Sequence, residues 1–306
     1  MDALEIVFGG FAISALRSAT PLLLVMLGEC LSQRTGVINL GVEGQMLVGA
    51  MAGYGATAAS GSPWIGLAAG CAAGCALSSI HALLVVGARA NQFGSGLSVW
   101  MLGSGLSAFY GSALVGLKIE PLPDLGLEAL ARVPVIGSIA TGMTPTVLIA
   151  LALVPLTGWW LYSTRTGLHW RAVGESPDAA RSAGLSPTRI RVAAVLAGGL
   201  FAGLGGAALS VDYTRTWAEG MTAGRGLVAV GLVIVARWNP WFTFPAALLF
   251  GGAEALSLRL QAAGVTVSAQ LLHTLPYLAS IAVLALTYRR SRDAGTPAGL
   301  KAVMDR

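Results

Sequence analysis

The sequence predicts an all-α integral membrane protein, a polytopic helix bundle, and three observations lead there. Hydrophobic residues make up 55% of the 306 positions and charged residues only 11%, where a soluble domain is typically about 25% charged. Mean hydropathy is +0.72. Glycine occurs 41 times, which suits helices that approach closely in lipid, where small residues are the packing device. The basic excess, a net charge of +5, sits in loops beside apolar runs and not in one soluble patch. It therefore reads as membrane orientation, and no nucleic-acid partner is expected. The acidic opening Met1–Glu5 lacks the basic region of a signal peptide and reads as mature sequence.

A spanning helix needs about 20 mostly apolar residues. The chain offers about nine candidates: 11–31, 42–60, 64–87, 92–115, 144–164, 190–212, 222–237, 241–261 and 268–288. Strands fit poorly, because the runs are long and lack period-two alternation. Residues 1–288 read as one transmembrane domain and 289–306 as a basic cytoplasmic tail. Within the sixth run, Gly199 and Gly203 form a small-x-x-x-small face for close packing. Cys71 and Cys75 share a helix face, but no His or acid beside them completes a metal site, so no metal or cofactor is expected. His81, His169 and His273 are dispersed and form no catalytic arrangement.

Orientation follows from Lys and Arg. The loop 165–191 holds Arg165, Arg171, Arg181, Arg189 and Arg191, and the tail holds Arg289, Arg290, Arg292, Lys301 and Arg306. Both are expected in the cytoplasm. The loop 116–143, with Glu120, Asp124 and Glu128 against Lys118 and Arg132, then falls outside, as does the N-terminus. An echo between the segment from Ser62-Pro63-Trp64 and that from Asn239-Pro240-Trp241, placed on opposite sides, suggests an inverted repeat.

Asn39 and Glu43 stand four apart among Gly36, Gly41 and Gly44, so on a helix they share a face. A carboxylate in an apolar setting must be paired, protonated or wet. Broken helices expose backbone to solutes in transporters, so one reading puts Asn39 and Glu43 on the wall of a translocation path. The other pairs Glu43 with Arg34 or Arg89 and gives it a packing role. Asn91, Gln92 and Ser95 open the fourth run and serve either the path or the helix start. Glu29, Glu254 and Arg17 read as structural partners of other helices.

The most mechanistic stretch lies in the cytoplasmic loop. Ser176 is an N-cap, Pro177 fits the first helical position, Asp178 complements the helix dipole and Gly184 is a stop. Ser186-Pro187 then repeats the start signal. A capped helix of about seven residues is expected there. It is either a docking element for another protein or a solvated connector.

Five blocks in order carry a family resemblance: "ATPLLLVMLGECLSQRTGVINLGVEGQMLVGA", "ANQFGSGLSVWMLGSG", "RAVGESPDAARSAGLSPTRIRVAAVLAGGLFAGLGGA", "AGRGLVAVGLVIVARWNP" and "LPYLASIAVLAL". From about Pro21 to about Tyr288 the chain resembles permease subunits of ABC importers in the ribose/branched-chain amino acid permease superfamily, nearest the simple-sugar and nucleoside branch. The resemblance implies a pore built with a second, similar or identical permease chain. It also implies two ABC ATPase copies or domains, an extracytoplasmic substrate-binding lipoprotein, and residence in the bacterial inner membrane. Within the loop, Arg171, Gly174, Glu175, Ser176, Pro177, Asp178, Arg181 and Gly184 match the region that couples to the ATPase. No G-x-x-x-x-G-K-[ST] loop is present, so ATP hydrolysis is expected in partners. Trp100 departs from the family by standing where an amide is common. An indole stacks on a base or a sugar face, and this leaves the substrate open: a nucleoside, a pentose-type sugar or a branched-chain amino acid. An ion-coupled secondary transporter using Glu43 is the alternative of another class.

Overall fold

The computed structural model describes residues 3–123, 125, 142–264, 267–290 and 296–304. Every regular element among them is helical. In chain order they are α1 (Ala3–Gln33), α2 (Val42–Ser60), α3 (Pro63–Ala82), α4 (Gln92–Gly111), α5 (Pro145–Ser163), α6 (Arg165–Glu175), α7 (Pro177–Ser182), α8 (Pro187–Ala207), α9 (Arg225–Val235), α10 (Pro240–Ala262), α11 (Ala269–Arg290) and α12 (Ala298–Met304). A π-helical turn extends α3 over Leu83–Gly87 and another extends α8 over Ala208–Tyr213. Asp124, Glu128 and Arg132 of the expected outer loop, and Arg292 and Arg306 of the tail, lie outside the described residues.

The helix starts follow one chemical rule. Ser62, Thr144, Ser176, Ser186 and Asn239 each stand in extended backbone directly before a proline that opens the helix. Proline has no N–H to leave unpaired in the first turn, and its fixed φ suits that position. Three of the five also cap with the side chain, Ser176 to Ala179 N at 3.2 Å, Ser186 to Arg189 N at 3.5 Å and Asn239 to Trp241 N at 3.1 Å.

Of the nine expected runs, eight coincide with long helices, and five helical stretches among the described residues are long and apolar enough to cross a membrane: Gly9–Gln33, Pro63–Gly87, Pro145–Ser163, Pro187–Tyr213 and Pro240–Ala262. The exception is 222–237, which yields only the 11-residue α9. Gly220 and Gly224 at positive φ break the chain before it, and Arg237 and Trp238, also at positive φ, break it after. At 1.5 Å per residue it rises about 16 Å, roughly half a hydrocarbon core.

The core is centred on α1. Leu22 to Leu27 are all 2% exposed or less, so this helix is apolar on every side because every side is covered. It packs against α8, α10, α5 and α9. A second contact group joins α2, α3 and α8 through bare backbone. A Cβ on Gly70 would fall 2.9 Å from Gly49 O and 3.0 Å from Gly203 O, and one on Gly74 would fall 2.6 Å from Gly203 Cα. At Gly203 the face is thus a seam where main chains touch, while Gly199 also meets the Ser78 side chain.

Candidate functional site

Between α1 and α2 the chain runs through residues 34–41 without helix, inside the bundle. Buried irregular backbone must find partners for its N–H and C=O groups, and side chains from three helices supply them. Gln92 Oε1 accepts from Ile38 N at 2.8 Å and its Nε2 donates to Gly36 O at 3.4 Å. His81 Nε2 meets Ile38 O at 3.2 Å, and its Nδ1 meets Ser95 Oγ at 3.0 Å. Ser32 Oγ donates to Val37 O at 3.1 Å. The turn at Gly36 takes φ +84, which favours glycine.

This segment also corrects one expectation. Asn39 and Glu43 do not share a helix face, because helix begins only at Val42. Asn39 is fully buried and pairs its amide with Gln45, donating from Nδ2 to Oε1 at 2.9 Å. Glu43 is 3% exposed and faces the start of α9. Its Oε1 accepts from Thr222 Oγ1 at 2.6 Å and Gly224 N at 2.8 Å, and its Oε2 accepts from Gly226 N at 2.6 Å. Both carboxylate oxygens therefore meet only donors, at the positive end of a helix dipole. The approach is tight enough that a Cβ on Gly226 would lie 2.7 Å from Glu43 Cα.

Of the two arginines expected as packing partners of Glu43, Arg34 is used elsewhere. Arg34 Nε donates to Trp238 O at 2.7 Å and its Nη2 to Tyr162 OH at 3.0 Å. Trp238 Nε1 donates to Gln33 Oε1 at 2.7 Å. So α9 is held at its start by Glu43 and just past its end by Gln33 and Arg34. Glu254 and Arg17, expected as partners of other helices, find them there, whereas Glu29 is met by a residue of its own helix. Glu254 pairs with Arg225 and accepts from Ser18 Oγ at 2.6 Å. Asp212 lies 3.9 Å from Arg17 and accepts from Thr144 and Thr146. Glu29 accepts from Gln33 Nε2 at 3.1 Å.

The remaining residues of the expected path do not converge on one cavity. Asn91 caps α4, accepting from Gly94 N at 3.0 Å. Gln92 and Ser95 come together around Ile38 as described. Trp100 contributes backbone to a close crossing, where a Cβ on Gly44 would lie 2.8 Å from its Cα.

The loop before α8 divides into a root and a tip. Sequence reading expected one short helix there; a second, α6, precedes it, started by Thr164 accepting from Gly167 N at 3.1 Å. Arg171 donates to Leu161 O at 3.1 Å and stacks over the Tyr162 ring at 5.1 Å. Gly174 is buried so tightly against the Arg34 carbonyl that a Cβ has no place. Glu175 accepts from Ala298 N at 3.2 Å. These three root the loop. The tip is α7, capped by Ser176, opened by Pro177 and ended near Gly184 at φ +82. Asp178 and Arg181 pair at 2.9 Å on its surface with side chains 91% and 66% exposed. The root touches the 34–41 segment that leads into α2 through Gly174 on Arg34, and Arg191 at the start of α8 donates from Nε to Thr35 O at 3.1 Å. Sequence reading missed Gln45, His81, Thr222, Gly224 and Gly226. Only the paired glycines before an apolar run hinted at the last two.

Comparison with known proteins identifies the family. The family model described as branched-chain amino acid transport system / permease component matches residues 11–286. A putative glucose ABC transporter permease protein of Haloferax volcanii is 40% identical, over 93% of each chain. A guanosine ABC transporter permease protein of Bacillus subtilis is 34% identical over 78% of this chain and 79% of its own. A nucleoside ABC transporter permease protein of Lactococcus lactis is 31% identical over 88% of this chain and 89% of its own. No solved structure matches. A permease component of this kind works with separate ATPase and substrate-binding components, which sets aside the self-contained ion-coupled carrier. The chain belongs to the branched-chain amino acid transport system permease component family, as the membrane-spanning, non-enzymatic subunit of an ABC transporter in the cytoplasmic membrane.

Proposed function

We propose that this permease imports a nucleoside or a related small polar solute. The support is the guanosine and nucleoside permeases among its relatives, each aligned over most of its length. The putative glucose permease at 40% identity favours a sugar as the second reading. Both solutes present a ribose-like or pyranose ring, and Trp100, half-buried on α4, offers a surface for such a ring.

The proposed assembly pairs the chain with a second permease, two ATPase copies or domains and an extracytoplasmic binding lipoprotein. In it the chain crosses the membrane about nine times, N-terminus outside and C-terminus in the cytoplasm, with α9 as a half-length crossing whose start lies within the bilayer. Asn91 at the cap of α4 and Gln92, Ser95 and Trp100 along it belong to the path wall at different levels, with Asn39 and Glu43 supporting it. Asn39 and Glu43 act as fasteners of that wall, since their polar atoms are already engaged.

The contacts support a route for coupling. The exposed tip of α7 presents Asp178 and Arg181 to the ATPase. Its root bears on Arg34 and Thr35, and these lead to Trp238 at one end of α9 and through α2 to Glu43 at the other. A push on α7 thereby reaches a short helix pinned at both ends. The observation that carries the reading is this continuous line of contacts.

The test is uptake in proteoliposomes containing the permease, its ATPase and its binding protein. Labelled nucleoside should accumulate only with ATP, and unlabelled nucleoside should compete better than glucose. The reverse competition order transfers the assignment to sugars. Uptake that ignores ATP and follows an ion gradient defeats the scheme.

A further inference from the structure

Helix α7 does not close against the bundle. Between it, the start of α8 and the turn joining α3 to α4 lies a cavity of about 690 Å³. Arg89 from the turn, Arg181 from α7 and Arg191 from α8 all line it, with Thr188 in the first turn of α8. Among the described residues, the one carboxylate paired with any of the three is Asp178, on Arg181. Arg191 has its Nε on the Thr35 carbonyl, and Arg89 is exposed with φ 56, a costly backbone for a non-glycine residue. Val85, Val86 and Phe93 add apolar surface beside Arg89, and Asn91 and Gln92 add their amides. A chamber that combines cationic forks with apolar surface, at the ends of two apolar helices, is complementary to an amphiphile with an anionic head.

We propose that this cleft binds a phosphate group, carried on an anionic phospholipid whose chain follows Val85, Val86 and Phe93, or free in the surrounding water. Guanidinium forks match phosphate oxygens bidentately, and basic pockets between membrane helices take lipid head groups in this way. A phosphate seated here bridges α7 to the α3–α4 turn, which holds Gln92 and hence the 34–41 segment. The bound group is then a staple between the ATPase-facing tip and the wall, and coupling responds to the anionic lipid around the transporter.

The permease, purified with its ATPase subunits in neutral detergent, is titrated with short-chain phosphatidylglycerol, short-chain phosphatidylcholine and inorganic phosphate, and thermal unfolding is followed. A saturable rise with phosphatidylglycerol and none with phosphatidylcholine is expected. Arg89→Gln, at an exposed position, should fold normally and weaken that apparent affinity about tenfold, the size of one charge-assisted contact. Arg189→Gln, which removes the same charge from the same face outside the cavity, should leave it unchanged. If inorganic phosphate saturates the same response and also weakens in Arg89→Gln, the site stands and its ligand is soluble. Equal stabilisation by both lipids, or an affinity unmoved in both Arg89→Gln and Arg191→Gln, overturns the proposal. The readout needs neither transport nor a known solute, so it stands or falls apart from the importer reading.

Discussion

Replacing Glu43 by glutamine is the sharpest test of the joint at the start of α9. The substitution keeps size and shape. One side-chain oxygen remains to accept from Thr222 and Gly224, but the other becomes an NH₂ facing Gly226 N, which now donates to Glu43 Oε2 at 2.6 Å. A donor then points at a donor in a buried site. The lost bond to a charged group is worth about 1.5–3 kcal/mol, and the negative charge at the helix start about another 0.5–1 kcal/mol. The sum, roughly 2–4 kcal/mol, corresponds to about a 30-fold or larger rise in local opening. Amide hydrogen exchange of the purified complex reads it directly: residues 224–229 should exchange at least that much faster, while the α2–α3–α8 seam is unchanged. ATP-driven uptake should fall with it. Glu43→Ala should exceed the glutamine effect, because it loses all three bonds. Unaltered exchange at 224–229 together with full uptake in Glu43→Gln would refute the capping argument, whatever the solute.

Three further perturbations separate packing from coupling. Gly74→Ala places a Cβ 2.6 Å from Gly203 Cα and should cost about 1–3 kcal/mol by overpacking, whereas Gly231→Ala, with open space around it, should be neutral or stabilising; melting temperatures compare the two. Asp178→Lys lies on an exposed surface and should leave the melting temperature unchanged while uncoupling ATPase activity from uptake, measured side by side in proteoliposomes. Glu254→Met alone leaves Arg225 without its partner and should destabilise by about 3 kcal/mol. Adding Arg225→Met should recover much of that loss in a thermal-unfolding cycle.

The parts legible in the sequence are those set by neighbours along the chain. Ser176-Pro177, Gly184 and Ser186-Pro187 fix α7 and the start of α8 with local chemistry alone, and the Gly199–Gly203 spacing gives a packing face whichever helix meets it. The illegible parts depend on distant partners. Residues 225–235 are as apolar as a crossing helix, and beyond the glycines before them it is the carboxylate of Glu43, some 180 positions away, that fixes where α9 starts. Asn39 misled for a related reason. Its i+4 spacing to Glu43 implies a shared face only if helix covers both, and the supports at Gln92 and His81 hold residues 37–39 out of helix. Arginine content made 165–175 read as topology, while Thr164 and the buried Gly167 and Gly174 make it a packed helix.

The glycine seam limits how the protein can change shape. Helices that meet through side chains can slide by switching rotamers at modest cost, but α2, α3 and α8 meet main chain to main chain around Gly49, Gly70, Gly74 and Gly203 and have no such freedom. They form a chassis. Helix α4 is locked to it in the same way, since a Cβ on Gly103 would fall 2.6 Å from Gly44 Cα, so any alternation between inward and outward openings must be carried by elements mounted on these four helices.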